Sequence, residues 1–154
     1  DATSALGIDS AVNHTQASAA DAAVLAELRS VAAAIDRAMT VDRLYRNPEL
    51  RTADLAEHVR STEHKVSRAI SVVLGERNVN QLINRHRIAC ACALLADSAS
   101  RTPIIDIAHT SGFASLGPFN RAFKTTMGCT PSAYRSSRQR ASESQGVSII
   151  GSSG

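Results

Sequence analysis

IIDIAHTSGFASLGPFNRAFKTTMGCTPSAYR, residues 104–135, holds two helical patterns separated by a glycine. Ile104, Ile107 and Ala108 share one helix face after Thr102-Pro103, and Gly112-Phe113 breaks the pattern. Phe119, Phe123 and Met127 then recur every four residues, which predicts a helix from about Ser115 to Met127 with those three side chains buried. Gly128 is placed to close it in the left-handed conformation. Thr130-Pro131 opens another helix, with Thr as cap and Pro at the first position. The same layout occurs earlier in the chain. Asp54-Leu55-Ala56 matches Asp106-Ile107-Ala108 at an offset of 52, and Arg68-Ala69-Ile70 and Leu74-Gly75 match Arg121-Ala122-Phe123 and Met127-Gly128 at 53. In this first copy Thr52 is the expected N-cap, Leu55, Ala56 and Val59 face inward, and a turn near Arg60-Ser61 leads to a helix over about 62–74. Its buried stripe is Val66, Ile70 and Val73 or Leu74. Two helices joined by a tight turn, present twice, is the helix-turn-helix arrangement.

Working outward, Val79 to Asp97 reads as one long helix joining the copies, nineteen residues and roughly 28 Å, close to the ~34 Å between successive major-groove faces of a duplex. Upstream, Val24, Leu28, Val31, Ile35 and Ala38 form a short heptad seam in a helix over 19–46, able to pair with a second copy or to dock on the body. Asn47-Pro48 ends it. The expected organisation is a flexible leader at 1–18, an N-terminal linker or dimerisation helix at 19–46, a double helix-turn-helix body at 47–140 and a disordered tail at 141–154. On this reading the body carries its own core, and removing residues 1–35 leaves it folded. Asn13-His14-Thr15 matches a glycosylation sequon, a triplet common by chance.

Composition supports an all-α fold. Hydrophobic residues make up 44% of the 154-residue chain while aromatics are only 3%, so aliphatic residues and Ala must pack the interior, a profile that favours helices over sandwiches and barrels. No apolar run reaches the length of a membrane span. The start at Asp1 suits a fragment or processed chain, and three cysteines suit a reducing compartment better than a disulfide framework. Charge is segregated. Residues 1–35 carry four acids and one base, residues 36–140 carry sixteen bases and nine acids, and residues 107–142 hold five bases and no acid. An acidic leader on a basic body points to a polyanion partner for the body.

With these features in view, DLAEHV at 54–59, KVSRAI at 65–70, RIACACALL at 87–95 and the 104–135 stretch together resemble the DNA-binding domain of AraC/XylS-type bacterial transcription regulators over about residues 44–138. The resemblance implies two helix-turn-helix units bridged by a linker helix, with a closing helix from Pro131. It implies a sequence-specific regulator that inserts two recognition helices into successive major grooves of double-stranded DNA, with RNA polymerase as a further partner. RNVNQLINRHRI and ASLGPFNRAFK look most like a subgroup whose domain follows a membrane segment, implying a cytoplasmic body tethered to the inner membrane through an upstream sensor. Position by position, the resemblance assigns base reading to His64, Lys65, Ser67 and Arg68 in the first recognition helix. In the second it assigns Ser115, Leu116, Gly117, Asn120 and Arg121. Arg bridges guanine, Asn pairs with adenine, and His64 or Ser67 serves several bases. Thr52, at a helix N-terminus, with Lys124 and Arg135, is assigned to phosphates.

Three departures from the family pattern stand out. Arg60 replaces a turn glycine, so that turn must adopt another backbone or carry strain. Leu116 and Gly117 offer no hydrogen-bonding side chain. Ala89, Cys90, Cys92 and Ala93 replace charges on the linker helix, leaving a weakly apolar strip.

Rival chemistries have little support. His86 and Cys90 share a helix face, but Cys92 points about 200° away from Cys90, so the two thiols cannot close on one metal. No base-and-acid arrangement activates a cysteine beside His109 or His86, and no glycine-rich phosphate loop is present, so neither enzyme activity, cofactor nor metal is expected. The remaining alternative is a helical interaction or dimerisation module of a larger membrane-anchored sensor, using the 24–38 seam and the cysteine strip.

Overall fold

The computed structural model describes the backbone of residues 6–150 and the side chains of residues 18–146. Its elements are α1 (Leu6–Thr40), a 3-10 turn (Leu44–Arg46), α2 (Thr52–His58), α3 (Glu63–Val72), α4 (Val79–Ala96), α5 (Ile104–Thr110), α6 (Leu116–Met127) and α7 (Pro131–Ile150). The described residues are all-helical, with two helix-turn-helix units, α2–α3 and α5–α6, bridged by α4. No described helix is long and apolar enough to cross a membrane.

Local signals account for the boundaries. Thr62 caps α3 by accepting from the Lys65 N–H at 3.3 Å, and Asn78 caps α4 by accepting from the Gln81 N–H at 2.9 Å. Thr130 Oγ1 accepts from the Ala133 N–H at 3.2 Å at the start of α7. The N-cap of α2 is Arg51, one residue before the expected Thr52: the Asp54 carboxylate accepts the Arg51 N–H at 2.9 Å, so Thr52 is the first helical residue.

Apolar side chains gather into two cores that share α4. Leu28, Ala32, Ile35, Met39, Leu55, Val66 and Ile70 form one with Val79, Leu82 and Ile83 from the first half of α4. Ile107, Ala108, Phe113, Phe119 and Phe123 form the other with Ile88, Ala91 and Leu95 from the second half. In the second core Phe119 packs 5.2 Å from Phe113 and 5.7 Å from Phe123, ring centre to ring centre, and Tyr134 of α7 meets Phe123 edge-on at 5.7 Å. Cys90 borders the first core and Cys92 the second, so the two thiols serve different interiors.

The structure corrects four expectations and decides a fifth point, the seam, which the sequence leaves open. The N-terminal helix ends at Thr40 and not at Arg46, because Arg43 takes a left-handed backbone with φ 54° before the 3-10 turn. The helix begins at Leu6, inside the stretch read as a flexible leader, and no proline interrupts the chain from there to Thr40. Likewise α7 meets no further proline after Pro131 and continues to Ile150, through most of the stretch read as a disordered tail; residues 1–5 and 151–154 lie outside the described part. The 24–38 seam docks on the body: Leu28, Ala32, Ile35 and Ala38 are buried against the first core, which leaves only the exposed Val24 of the seam's apolar edge free. Met127, expected inside, is 39% exposed because α6 ends there and the second core is already closed by Phe119 and Phe123.

Both inter-helix turns use positive φ at equivalent places, 55° at Arg60 and 101° at Gly112. A non-glycine residue held there costs about 1–2 kcal/mol. Arg60→Gly is therefore expected to raise stability by up to about 1 kcal/mol, after the extra freedom of glycine in the unfolded chain is subtracted. A lower midpoint in urea for the variant would mean that the Arg60 side chain supplies packing that outweighs the strain.

Candidate nucleic-acid interface

On α3, His64, Ser67 and Arg68 are exposed on one side of the helix. Lys65 is not with them. It is half-buried and its Nζ pairs with the Glu27 carboxylate of α1, so it is turned toward the docked helix and away from His64, Ser67 and Arg68. On α6, Ser115, Leu116, Gly117, Asn120 and Arg121 are all exposed, as is Lys124 one turn on. Ser115 is the N-cap by position, and its hydroxyl makes no cap hydrogen bond. Gly117 lies one turn before Arg121, and a Cβ there would stand 3.5 Å from Arg121 Nη1. The guanidinium thus lies back over the glycine, and a large side chain at 117 would compete for that space.

Ion pairs among the described residues are Lys65–Glu27, Arg85–Glu76 and, when the imidazole is protonated, His58–Asp42 at 2.9 Å. Arg68, Arg121 and Lys124 take part in none of them. Their charge is directed to solvent at the two positions that the repeat makes equivalent, and at a third beside the second.

Two open clefts flank the first half of α4. One, of about 390 Å³, lies against α3 and is lined by Thr52, Ser67, Arg68, Ser71, Arg77, Asn78, Val79 and Asn80. The other, of about 580 Å³, lies against α6 and is lined by Gln81, Asn84, Pro118 and Arg121 and by the paired Glu76 and Arg85. The structure therefore brings Thr52, Ser67 and Arg68 together, and the sequence reading missed Arg77 and Asn80 beside them. Their signal was the polar run RNVNQ at 77–81 where a helix starts. Arg135 is half-buried and donates one Nη2 hydrogen bond to the Thr102 carbonyl, which ties α7 to the segment before α5 and sets its guanidinium apart from Arg121 and Lys124.

The α4 surface also differs from a smooth strip. Cys90 is half-buried beside Tyr45, and Cys92 is half-buried near Tyr134, where burial pushes its thiol pKa up. His86 stacks on Tyr45 with ring centres 5.9 Å apart, its Nε2 buried without a partner, and burial lowers its pKa, so it is a neutral packed side chain.

Two exposed, basic second helices on a repeated helix-turn-helix frame define the class as a double helix-turn-helix DNA-binding protein. The family described as "Helix-turn-helix domain" matches residues 55–137, more than half of the chain. The chain belongs to this family and is an AraC-type helix-turn-helix regulator of transcription. Among solved structures it is similar to the C-terminal domain of AraT, a response regulator from Geobacillus stearothermophilus, at 26% identity over 71% of this chain and 84% of that one, TM-score 0.59. A transcriptional regulator from Chromobacterium violaceum with an AraC-type DNA-binding domain shares 25% identity over 64% of this chain and 87% of that one, TM-score 0.55. The DNA-binding domain of AdpA, a global transcriptional factor solved in complex with a target DNA, has the same fold at 21% identity, covering 72% of this chain and 94% of that one, TM-score 0.61. No curated protein matches the sequence.

Proposed function

We propose that residues 47–140 read a bipartite duplex site, with α3 and α6 in successive major grooves on one side of DNA. The observation that carries this reading is the pair of exposed arginines outside the ion pairs of the described residues, Arg68 and Arg121, at repeat-equivalent positions on two helices that flank the first half of α4. His64, Ser67 and Arg68 read bases in one half-site. Ser115, Asn120 and Arg121 read the other, with Leu116 giving apolar contact to a thymine methyl. Lys124, and Thr52 at the start of α2, hold phosphates. In the same reading the domain works in the cytoplasm, α1 joins it to an upstream sensor or membrane segment, and RNA polymerase is the partner through which occupancy changes transcription. The apolar seam of α1 is used within the chain, so a homodimer through those residues is not part of the proposal.

Footprinting is expected to show about 16–20 bp protected by one monomer, because two helices one helical turn apart need that length. A single protected half-site of about 6 bp would overturn the reading. Arg68→Ala should cost roughly 1–3 kcal/mol on the preferred site and relax one base position, whereas Lys124→Glu should weaken all duplexes alike and flatten the salt dependence by about one unit or more. Equal losses for Arg68→Ala on preferred and random DNA would remove it from base reading.

A further inference from the structure

Among the described residues Arg87 is the buried charged side chain, at 9% exposure. No carboxylate among the described residues pairs with it. Its Nε donates to the Tyr45 carbonyl and its Nη2 to the Asn47 carbonyl, both at 2.8 Å, and the guanidinium carbon lies 5.4 Å from the centre of the Phe113 ring. Burial alone pulls its pKa down, yet arginine keeps its proton in proteins, so a full charge is held by carbonyl dipoles and a ring face. The partners come from different units. Tyr45 belongs to the first core, and Phe113 belongs to the second. The units also touch directly here, since a Cβ on Gly112 would stand 2.1 Å from the Tyr45 carbonyl oxygen and 2.9 Å from the Arg46 Cα. The turn of the second helix-turn-helix unit is thus seated on the 3-10 turn of the first, with Arg87 of α4 bonded across the joint.

We infer that Arg87 is a positioning residue that fixes the pitch between α3 and α6, and through it the spacing of half-sites that the protein accepts. This rests on the two-groove reading above. The planar guanidinium carries its donors in a rigid fork, so two carbonyls and one ring face together fix its orientation. A lysine in its place offers a rotating point charge, and a methionine offers packing without donors. Neither triangulates the joint. DNA contact by Arg87 is excluded by its burial, so its effect on recognition must pass through geometry.

Two measurements on the full chain separate this inference from the reading beneath it. Spin labels at Ser71→Cys and Thr125→Cys, with Cys90, Cys92 and Cys129 replaced by Ala, report the distance between α3 and α6 without DNA. A narrow distribution in the parent and a broadened one in Arg87→Lys and Arg87→Met is expected. An unchanged distribution in either folded variant overturns the assignment. Binding is then compared on single half-sites and on two half-sites with the spacer altered by one base pair either way. The parent should gain roughly 10²-fold from the second half-site at one spacing, and the variants should lose about tenfold or more of that gain while binding single half-sites as the parent does. Variants that keep the parent's spacing preference overturn the inference. A parent that gains nothing from a second half-site defeats the two-groove reading instead, and the label distances then decide the role of Arg87 alone.

Discussion

Deleting residues 1–35 is expected to abolish cooperative folding of the first helix-turn-helix unit. The deletion removes Leu28, Ala32 and Ile35, each all but inaccessible to solvent, and the partly buried Val31 packed beside them. At about 1.5–3 kcal/mol for each fully buried large aliphatic side chain, the transfer loss alone is about 5 kcal/mol, before the newly exposed faces of α2 and α3 are counted. Domains of this size are stable by only about 5–15 kcal/mol in total. The Glu27–Lys65 pair is lost too, but both partners are about half exposed and it adds little. Helical circular dichroism followed through a thermal melt checks the outcome. A truncated chain that melts cooperatively within a few degrees of the full one would show that α1 is an appendage after all.

Gly112→Ala should produce the largest loss from a single methyl group. The residue sits at φ 101°, where an L side chain is strained, and its Cβ would overlap the Tyr45 carbonyl oxygen and crowd the Arg46 backbone. Neither obstacle is the end of a flexible side chain, so the joint between the units must open by more than an ångström. A destabilisation of about 3 kcal/mol or more is expected, the range associated with overpacking and backbone strain combined. Gly128→Ala is the control. Its φ of 75° carries a similar backbone penalty, but nothing lies within 4 Å of the added atom, so about 1 kcal/mol is expected. Equal urea midpoints for the two variants would mean that the turn tolerates the overlap by a rearrangement that leaves the rest intact.

Much of the architecture was legible because it was written twice. The offset of 52 that aligns Asp54 with Asp106 also aligns Arg60 with Gly112, and both take positive φ; the offset of 53 aligns Gly75 with Gly128, at 72° and 75°. What was not legible depends on partners far away in sequence. Lys65 reads like its neighbours until Glu27, thirty-eight residues earlier, is placed beside it. Arg135 looks like one more base in an acid-free tail until the Thr102 carbonyl meets it. The seam at 24–38 has the same pattern whether it meets a second copy or its own body, since periodicity identifies an apolar face and not what covers it. Arg87 did leave a signal. Ile83, Arg87, Ala91 and Leu95 lie at four-residue intervals on the buried side of α4, and a charge within such a row announces a buried donor.

The split of the interior into two cores bears on how such a protein changes over generations. Because α4 carries Val79, Leu82 and Ile83 into one interior and Ile88, Ala91 and Leu95 into the other, a substitution around Ile70 and one around Phe119 share no packing neighbour, and their costs should add. On the proposed two-groove reading, each second helix is therefore free to drift toward a new half-site while the packing behind its counterpart stays as it was. The joint at Tyr45, Arg87 and Gly112 is the exception, since a change there is felt on both sides at once. If the proposed reading holds, a lineage of such proteins could rewrite either word of its binding site separately, while the gap between the words stayed as inherited.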